Sequence, residues 1–231
     1  MIIAGLQKLS LVDYPGVICS VVFTQGCDFR CGYCQNPDLI PSKSCQVDHP
    51  EEEVLTFLAK RKGMIEGVVI TCGEPTIHKD LPDFIERVRH IGLKVKLDTN
   101  GANPELIERL LKDDTINYVA LDIKTAPSKY SSVTNMKDAP ARISRTILLM
   151  MLSRIPYEFR TTCVPGIVDT EDFHEIGRLV KGANKYCLQQ FRVAITLDKK
   201  FRTVKPYKSN ELAKFKKILS EYVQRVEIRG V

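Results

Sequence analysis

Six short runs rich in β-branched and other apolar residues, 17–23, 67–71, 93–97, 118–123, 158–163 and 188–195, alternate along the chain with segments of helical period. Runs of this length suit strands. Between them Leu81, Phe84, Ile85, Val88 and Ile91 fall on one helix face, as do Leu106, Ile107, Leu110 and Leu111. Further stripes run through Ile143, Ile147, Leu148 and Met151, through Phe173, Ile176 and Val180, and through Leu212, Phe215, Leu219 and Tyr222, with a shorter one at Val54, Leu55 and Leu58. Strand–helix alternation implies parallel strands joined by right-handed crossovers. Six such units are too few to close an eight-fold barrel, which leaves a partial barrel or an open doubly wound sheet.

Start signals accompany several helical stripes. Asn103 stands before Pro104, Asp48 precedes Glu51 by three residues, and Thr170 precedes Glu171 and Asp172. With no internal repeat, low-complexity tract or linker, residues 1–231 read as one domain. Residues 1–16 form an N-terminal hairpin or edge extension turning at Asp13-Tyr14-Pro15-Gly16, and residues 200–231 a basic C-terminal helix and tail.

In parallel α/β folds the chemistry gathers at the C-terminal ends of the strands. Here the successive runs end in Gln25-Gly26-Cys27, Cys72-Gly73-Glu74-Pro75, Asp98-Thr99-Asn100-Gly101 and Asp122-Ile123-Lys124. The fifth carries Arg160, and the sixth carries Gln189, Gln190 and Arg192. One end of the sheet therefore collects the polar and special-backbone residues of a site. Read alone, Asp98 could also cap the turn after it, and Glu74 and Lys124 could form a surface pair.

Of eight cysteines, Cys27, Cys31 and Cys34 stand within eight residues of one another. Cys19, Cys163 and Cys187 read as small buried hydrophobes, and Cys72 as a packing residue beside the site. Structural zinc takes four ligands in paired C-x2-C spacing, and a redox dithiol needs only one such pair. Three thiolates in one loop suit three corners of an iron–sulfur cube, whose ordinary fourth cysteine has no nearer candidate than Cys45. A fourth iron without a protein ligand can be chelated by the amino and carboxylate groups of S-adenosylmethionine (SAM). Reduction of the adjacent sulfonium would then release a 5′-deoxyadenosyl radical, chemistry that belongs to the cofactors while the protein orients them. A structural zinc, or a cluster that only transfers electrons, stands as the alternative.

The spacing C-x3-C-x2-C with Tyr33 before the last cysteine resembles the hallmark of the radical SAM superfamily, and the resemblance covers nearly the whole chain. Gly73-Glu74-Pro75 is similar to that superfamily's glycine-glycine-glutamate segment, with Cys72 in place of the first glycine. The resemblance implies a partial (β/α)6 TIM-like barrel and one [4Fe–4S] cluster on Cys27, Cys31 and Cys34. It also implies SAM contacts from Tyr33, Gly73, Glu74, Asp98, Asn100, Asp122 and Lys124, and a ribose contact from Arg192. Gly5-Leu6-Gln7-Lys8, Asp13-Tyr14-Pro15-Gly16, Phe23-Thr24-Gln25-Gly26-Cys27 and Tyr33-Cys34-Gln35-Asn36-Pro37 further resemble activators of anaerobic ribonucleoside-triphosphate reductase, whose relatives usually have His where Gln35 stands. Such proteins abstract hydrogen from one glycine of a partner glycyl radical enzyme. The resemblance thus implies two partners, that enzyme and a flavodoxin or ferredoxin electron donor. Alternatives are a radical SAM enzyme acting on a small molecule and a non-enzymatic iron–sulfur carrier.

The net charge of +6 owes much to Lys199, Lys200, Arg202, Lys205, Lys208, Lys214, Lys216 and Lys217, a solvated face or a dock for an acidic partner. Only 7% of residues are aromatic and none is Trp, which argues against nucleic acid. No window is apolar enough for a membrane span, and the apolar start 1–6 is too short for a signal peptide, so the expected location is the cytoplasm. His49, His78, His90 and His174 show no metal-ligand spacing.

Overall fold

The computed structural model describes residues 1–40, 49–193 and 195–231. Its elements run β1 (Ile3–Ser10), β2 (Cys19–Thr24), α1 (Glu51–Lys60), β3 (Gly67–Thr71), α2 (Leu81–Ile91), β4 (Lys94–Thr99), α3 (Pro104–Lys112) and β5 (Tyr118–Asp122). They continue with α4 (Tyr130–Thr134), α5 (Ala139–Leu152), β6 (Tyr157–Cys163), α6 (Thr170–Leu179), β7 (Lys185–Gln190), α7 (Ser209–Leu219) and β8 (Arg225–Arg229). One eight-stranded sheet holds the strands in sequence order. The β1–β2 pair is antiparallel, turning where the Val17 N–H donates to the Tyr14 carbonyl, and every later pair is parallel.

All six expected strands are present, followed by one the sequence reading treated as a tail. Arg225–Arg229 pairs with β7 from Lys185↔Arg225 to Gln189↔Arg229. Its Arg-Val-Glu-Ile-Arg alternation carries only two apolar residues, Val226 and Ile228, and so looks like a solvated end. The last expected strand sits earlier than foreseen, at Lys185–Gln190, and residues 191–193 leave the sheet.

The strands are amphipathic in a way that decides where the site lies. One face carries Val22, Val68, Ile70, Val95, Leu97, Val119, Leu121, Phe159 and Leu188, packed beneath the helices in the main core. Helix α2 seats Leu81, Phe84, Ile85 and Val88 there without exposure, each burial stabilising by roughly 1.5–3 kcal/mol. On the other face a small apolar cluster of Tyr14, Cys19, Val21, Val69 and Tyr118 fills the β2–β3 end. From β4 onward that face is charged, with Lys96, Asp98, Asp122, Glu158, Arg160, Lys185, Glu227 and Arg229 joined in ion pairs. Val12 and Asp13, just past β1, line the same cavity as Arg229 of β8, so the sheet curls round on its charged face. Among the described residues β1 and β8 do not pair, and the barrel is left open.

Of the expected helix starts, Asn103 caps α3, its Oδ1 accepting from the Leu106 N–H at 3.2 Å. The cap of α6 is Asp169 rather than Thr170, because only the Asp169 carboxylate can accept from both the Glu171 and Asp172 N–H groups. Asp48 and Cys45 lie outside the described residues, and Pro50 stands at the α1 N-cap. Asp169→Ala is expected to lower stability by about 1 kcal/mol, read by urea unfolding, through loss of the two backbone donors it accepts and of its ion pair with Lys129.

Candidate active site at the strand C-terminal ends

The loop after β2 begins with a close approach. Gly73 has φ +51°, and a Cβ there would stand 2.2 Å from the Gly26 carbonyl oxygen and 2.8 Å from that of Thr24, both backbone atoms. Only glycine lets the ends of β2 and β3 meet this closely. The Glu74 N–H then donates to the Gly26 carbonyl at 2.7 Å.

Glu74 is buried and collects four donors. Oε1 accepts from the Thr76 N–H at 3.1 Å and from the Thr76 and Thr99 hydroxyls at 2.6 Å each, and Oε2 accepts from the Asn100 N–H at 2.6 Å. Burial, reinforced by the nearby Asp28 charge, pushes its carboxyl up to about 7 despite those donors. The Asn100 amide donates in turn to Asp28 Oδ1 at 2.7 Å, which ties the β4 end to the residue after Cys27.

Asp98 and Asp122, two strands' end residues, are bridged by Arg160 at 3.1 and 2.7 Å. Lys96 pairs with Asp98, and Lys124 with Asp122 at 3.1 Å. Burial alone would raise the Asp122 carboxyl, but Arg160 and Lys124 outweigh it and hold the group well below the usual range. For Lys124, burial opposes the charge and Asp122 more than restores it.

The cysteine loop is held from a distance. Asp198 and Leu197 donate backbone N–H groups to the carbonyls of Gly32 and Cys34 at 2.8 and 3.1 Å, and Gln35 Nε2 donates to the Arg192 carbonyl at 2.6 Å. Phe201 packs edge-on to Tyr33 with ring centroids 6.1 Å apart, and a Cβ on Gly32 would meet its ring at 2.8 Å. Tyr33 donates its hydroxyl to the Lys124 carbonyl at 3.4 Å.

These pieces enclose a cavity of about 230 Å³ lined by Cys27, Cys31, Tyr33, Cys34, Gly73, Glu74, Asp98, Asn100, Asp122 and Lys124. Arg192 is the one expected site residue not on it. It lines the neighbouring cavity of about 590 Å³, with Arg160, Gln189 and Arg229. Asp98 is an ion-pair partner rather than a turn cap, and Glu74 and Lys124 do not pair with each other. Cys19, Cys163 and Cys187 are buried, as expected of packing residues, whereas Cys72 lines the smaller cavity.

The donor set fits an iron–sulfur cluster. Among the described residues no three metal-binding side chains converge as a single ion would require, and the three thiols instead line one cavity together. Soft thiolates around such a space are what a cluster takes. Burial pushes the Cys27 and Cys31 thiols up to about 12 and 11, so cluster binding must release their protons.

Residues 21–180 match the model of the radical SAM superfamily. The chain belongs to the radical SAM superfamily. It is also 33% identical to a "putative glycyl-radical enzyme activating enzyme" of Methanocaldococcus jannaschii, over 100% of this chain and 96% of that protein. The pyruvate formate-lyase-activating enzyme of Clostridium pasteurianum is 26% identical over 96% of this chain and 98% of its own. Within the radical SAM superfamily the chain therefore falls with the glycyl-radical enzyme activating enzymes, a family that uses a [4Fe–4S] cluster and SAM. The fold is shared with Streptococcus suis SuiB bound to its precursor peptide SuiA, at a TM-score of 0.70 and 16% identity, over 91% of this chain and 48% of that one.

Site reasoning from sequence missed Asp28, the Leu197–Phe201 clamp and the bridging part of Arg160. Arg160 had a signal, a cation inside a strand-length run, but Asp28 and Phe201 are paired to the site only by the fold.

Glu74→Gln must turn its amide NH2 toward the Asn100 N–H, leaving a buried donor unpaired and costing about 1–3 kcal/mol in urea unfolding. The wild-type carboxyl is raised above its ordinary 4.5, so its contribution is full below that value and is lost as pH rises through about 7. Metal-free wild type should therefore lose stability between pH 5 and 8 more steeply than the Gln variant. Gly73→Ala forces backbone against backbone and is expected to cost more than about 1 kcal/mol and to lower the iron content retained after anaerobic reconstitution.

Proposed function

We propose that this radical SAM activase cleaves SAM reductively and abstracts hydrogen from the α-carbon of a glycine in a partner glycyl radical enzyme of the anaerobic ribonucleotide reductase type. The observation that carries the reading is the single cavity shared by three cysteine thiols and the Asp98, Asp122, Lys124 and Glu74 groups. When bound, the [4Fe–4S] cluster and SAM supply the electron and the 5′-deoxyadenosyl radical.

The chain's own residues bind and orient. Cys27, Cys31 and Cys34 hold three irons. Gly73 and Glu74 would bind the methionyl amino group, and the backbone at Tyr33 would contact the adenine. Asn100 braces the cysteine loop through Asp28. Lys96, Arg160 and Lys124 set three positive charges against Asp98 and Asp122, leaving one in excess to receive the SAM carboxylate, with Lys124 nearest the cysteine loop. Arg192 would reach the ribose from the adjoining cavity.

Lys199, Lys200 and Arg202 lie on the 3₁₀ turn Lys199–Thr203, which packs on the cysteine loop through Phe201. They form a positive patch for an acidic flavodoxin or ferredoxin close to where its electron must enter. No helix among the described residues is long and apolar enough to cross a membrane, and we place the protein in the cytoplasm with such donors. Similarity to pyruvate formate-lyase-activating enzymes supports a second reading, in which the partner is of that type.

The test is anaerobic: reconstituted protein, dithionite and SAM, with 5′-deoxyadenosine assayed and the glycyl radical sought by electron paramagnetic resonance on each partner class. Cleavage that is abolished in Cys34→Ala, with a radical on the reductase, is expected. An intact, reducible cluster without cleavage would refute the reading, and a radical only on the lyase would select the second. Lys124→Met is expected to weaken SAM binding by roughly 10- to 100-fold, the worth of a hydrogen bond to a charged group.

A further inference from the structure

Cys72 occupies the position where the superfamily's motif has glycine, and the fold does not treat it as filler. Among the described residues it is one of three non-glycine residues with positive φ, at +58°, a conformation that costs an L-residue energy and persists only where the surroundings impose it. Its carbonyl is fixed by the Thr24 hydroxyl at 2.5 Å, which leaves the side chain as the variable part. That side chain lines the same cavity as Cys27, Cys31 and Cys34, so four of the seven described cysteines share one space. The Asn36 amide, two residues beyond Cys34, donates to the Cys72 sulfur at 3.4 Å. An N–H aimed at sulfur is the contact that tunes thiolate ligands of iron–sulfur clusters. Cys34 is also close enough for its charge to act on the Cys72 thiol.

We propose that Cys72 is a displaceable fourth ligand: without SAM its thiolate binds the cluster's fourth iron, and SAM replaces it. The inference rests on the assignment of the cluster to Cys27, Cys31 and Cys34. The exchange transfers no electron. On capping, an S–Fe bond forms and the thiol proton leaves to solvent. On SAM binding that bond breaks, the SAM ammonium gives up a proton so that its nitrogen, with a carboxylate oxygen, can bond the iron, and the freed thiolate takes up one proton in exchange. The cap would protect the exposed iron when SAM is scarce, at a cost in apparent SAM affinity.

Reconstituted wild type, Cys72→Gly and Cys72→Ala are compared without SAM, by Mössbauer spectroscopy and by the rate at which limiting ferricyanide converts the cluster to the [3Fe–4S] form, read by electron paramagnetic resonance. Glycine suits the backbone here, so Cys72→Gly should fold at least as well as wild type. The expected result is four sulfur-ligated irons and slow conversion in wild type, with rapid conversion in both variants. SAM added to wild type shifts one iron site, and both variants bind SAM about ten-fold more tightly, as removal of a competing state requires. Equal conversion rates and equal SAM affinities in all three proteins would overturn the cap, as would an effect confined to the thermal stability of Cys72→Gly. Failure of the underlying assignment reads differently: wild type would then hold no [4Fe–4S] cluster, or Cys34→Ala would retain it unchanged.

Discussion

Four donors converge on the buried carboxyl group of Glu74, which holds the loop after β3 to the end of β4, while the Glu74 N–H and Asn100 tie both to the loop after β2. The arrangement depends on Gly73, which lets two strand ends approach to a distance no side chain would tolerate. Tight backbone contact and carboxyl capture act together: the first brings the Glu74 N–H onto the Gly26 carbonyl, and the second locks the Thr99–Asn100 turn beneath it. The cysteine loop inherits its position from this knot, since Asp28 is anchored to Asn100.

The charged face of the sheet is the second constraint. A parallel sheet normally buries both faces in apolar side chains. Here one face carries alternating Lys96 and Asp98, Glu158 and Arg160, and Glu227 and Arg229 instead. Removing such charges from water is costly, and pairing recovers the cost only when each has partners. Glu158 meets that condition with Arg229 at 2.7 Å and Lys185 at 3.3 Å. Burial would raise its carboxyl, but Arg229 prevails and holds it near about 2. Hydrophobic residues of similar volume would serve stability as well, whereas the paired charges make the wall of the adjoining cavity polar.

The six strands and their helices could be read from the sequence because burial on the helix-covered face leaves continuous apolar runs, as at Gly67–Thr71. β8 could not, since its face toward the cavity is arginine and glutamate, which mimic a solvated tail. The cluster cysteines and the strand-end acids were visible because their chemistry is local to short motifs. Asp28, Asn36, Leu197 and Phe201 were not, because each acts through a contact that exists only once distant segments meet. Arg192 was placed by analogy of position, and the chain leaves the sheet just before it, which moves it to the adjoining cavity.

The clamp on the cysteine loop has a consequence for the order in which the molecule is made. Gln35 closes on the Arg192 carbonyl across 157 residues, and Asp198 and Leu197 supply the backbone donors for Gly32 and Cys34. Contacts so far apart in the chain form only after the intervening elements have collapsed. The three thiols gain a fixed spacing only once Arg192 and residues 197–201 have packed onto their loop. Before those contacts form, residues 27–34 are an unconstrained eight-residue chelator, and afterwards a braced one. Cluster binding is in this sense coupled to the docking of distant segments onto the cysteine loop.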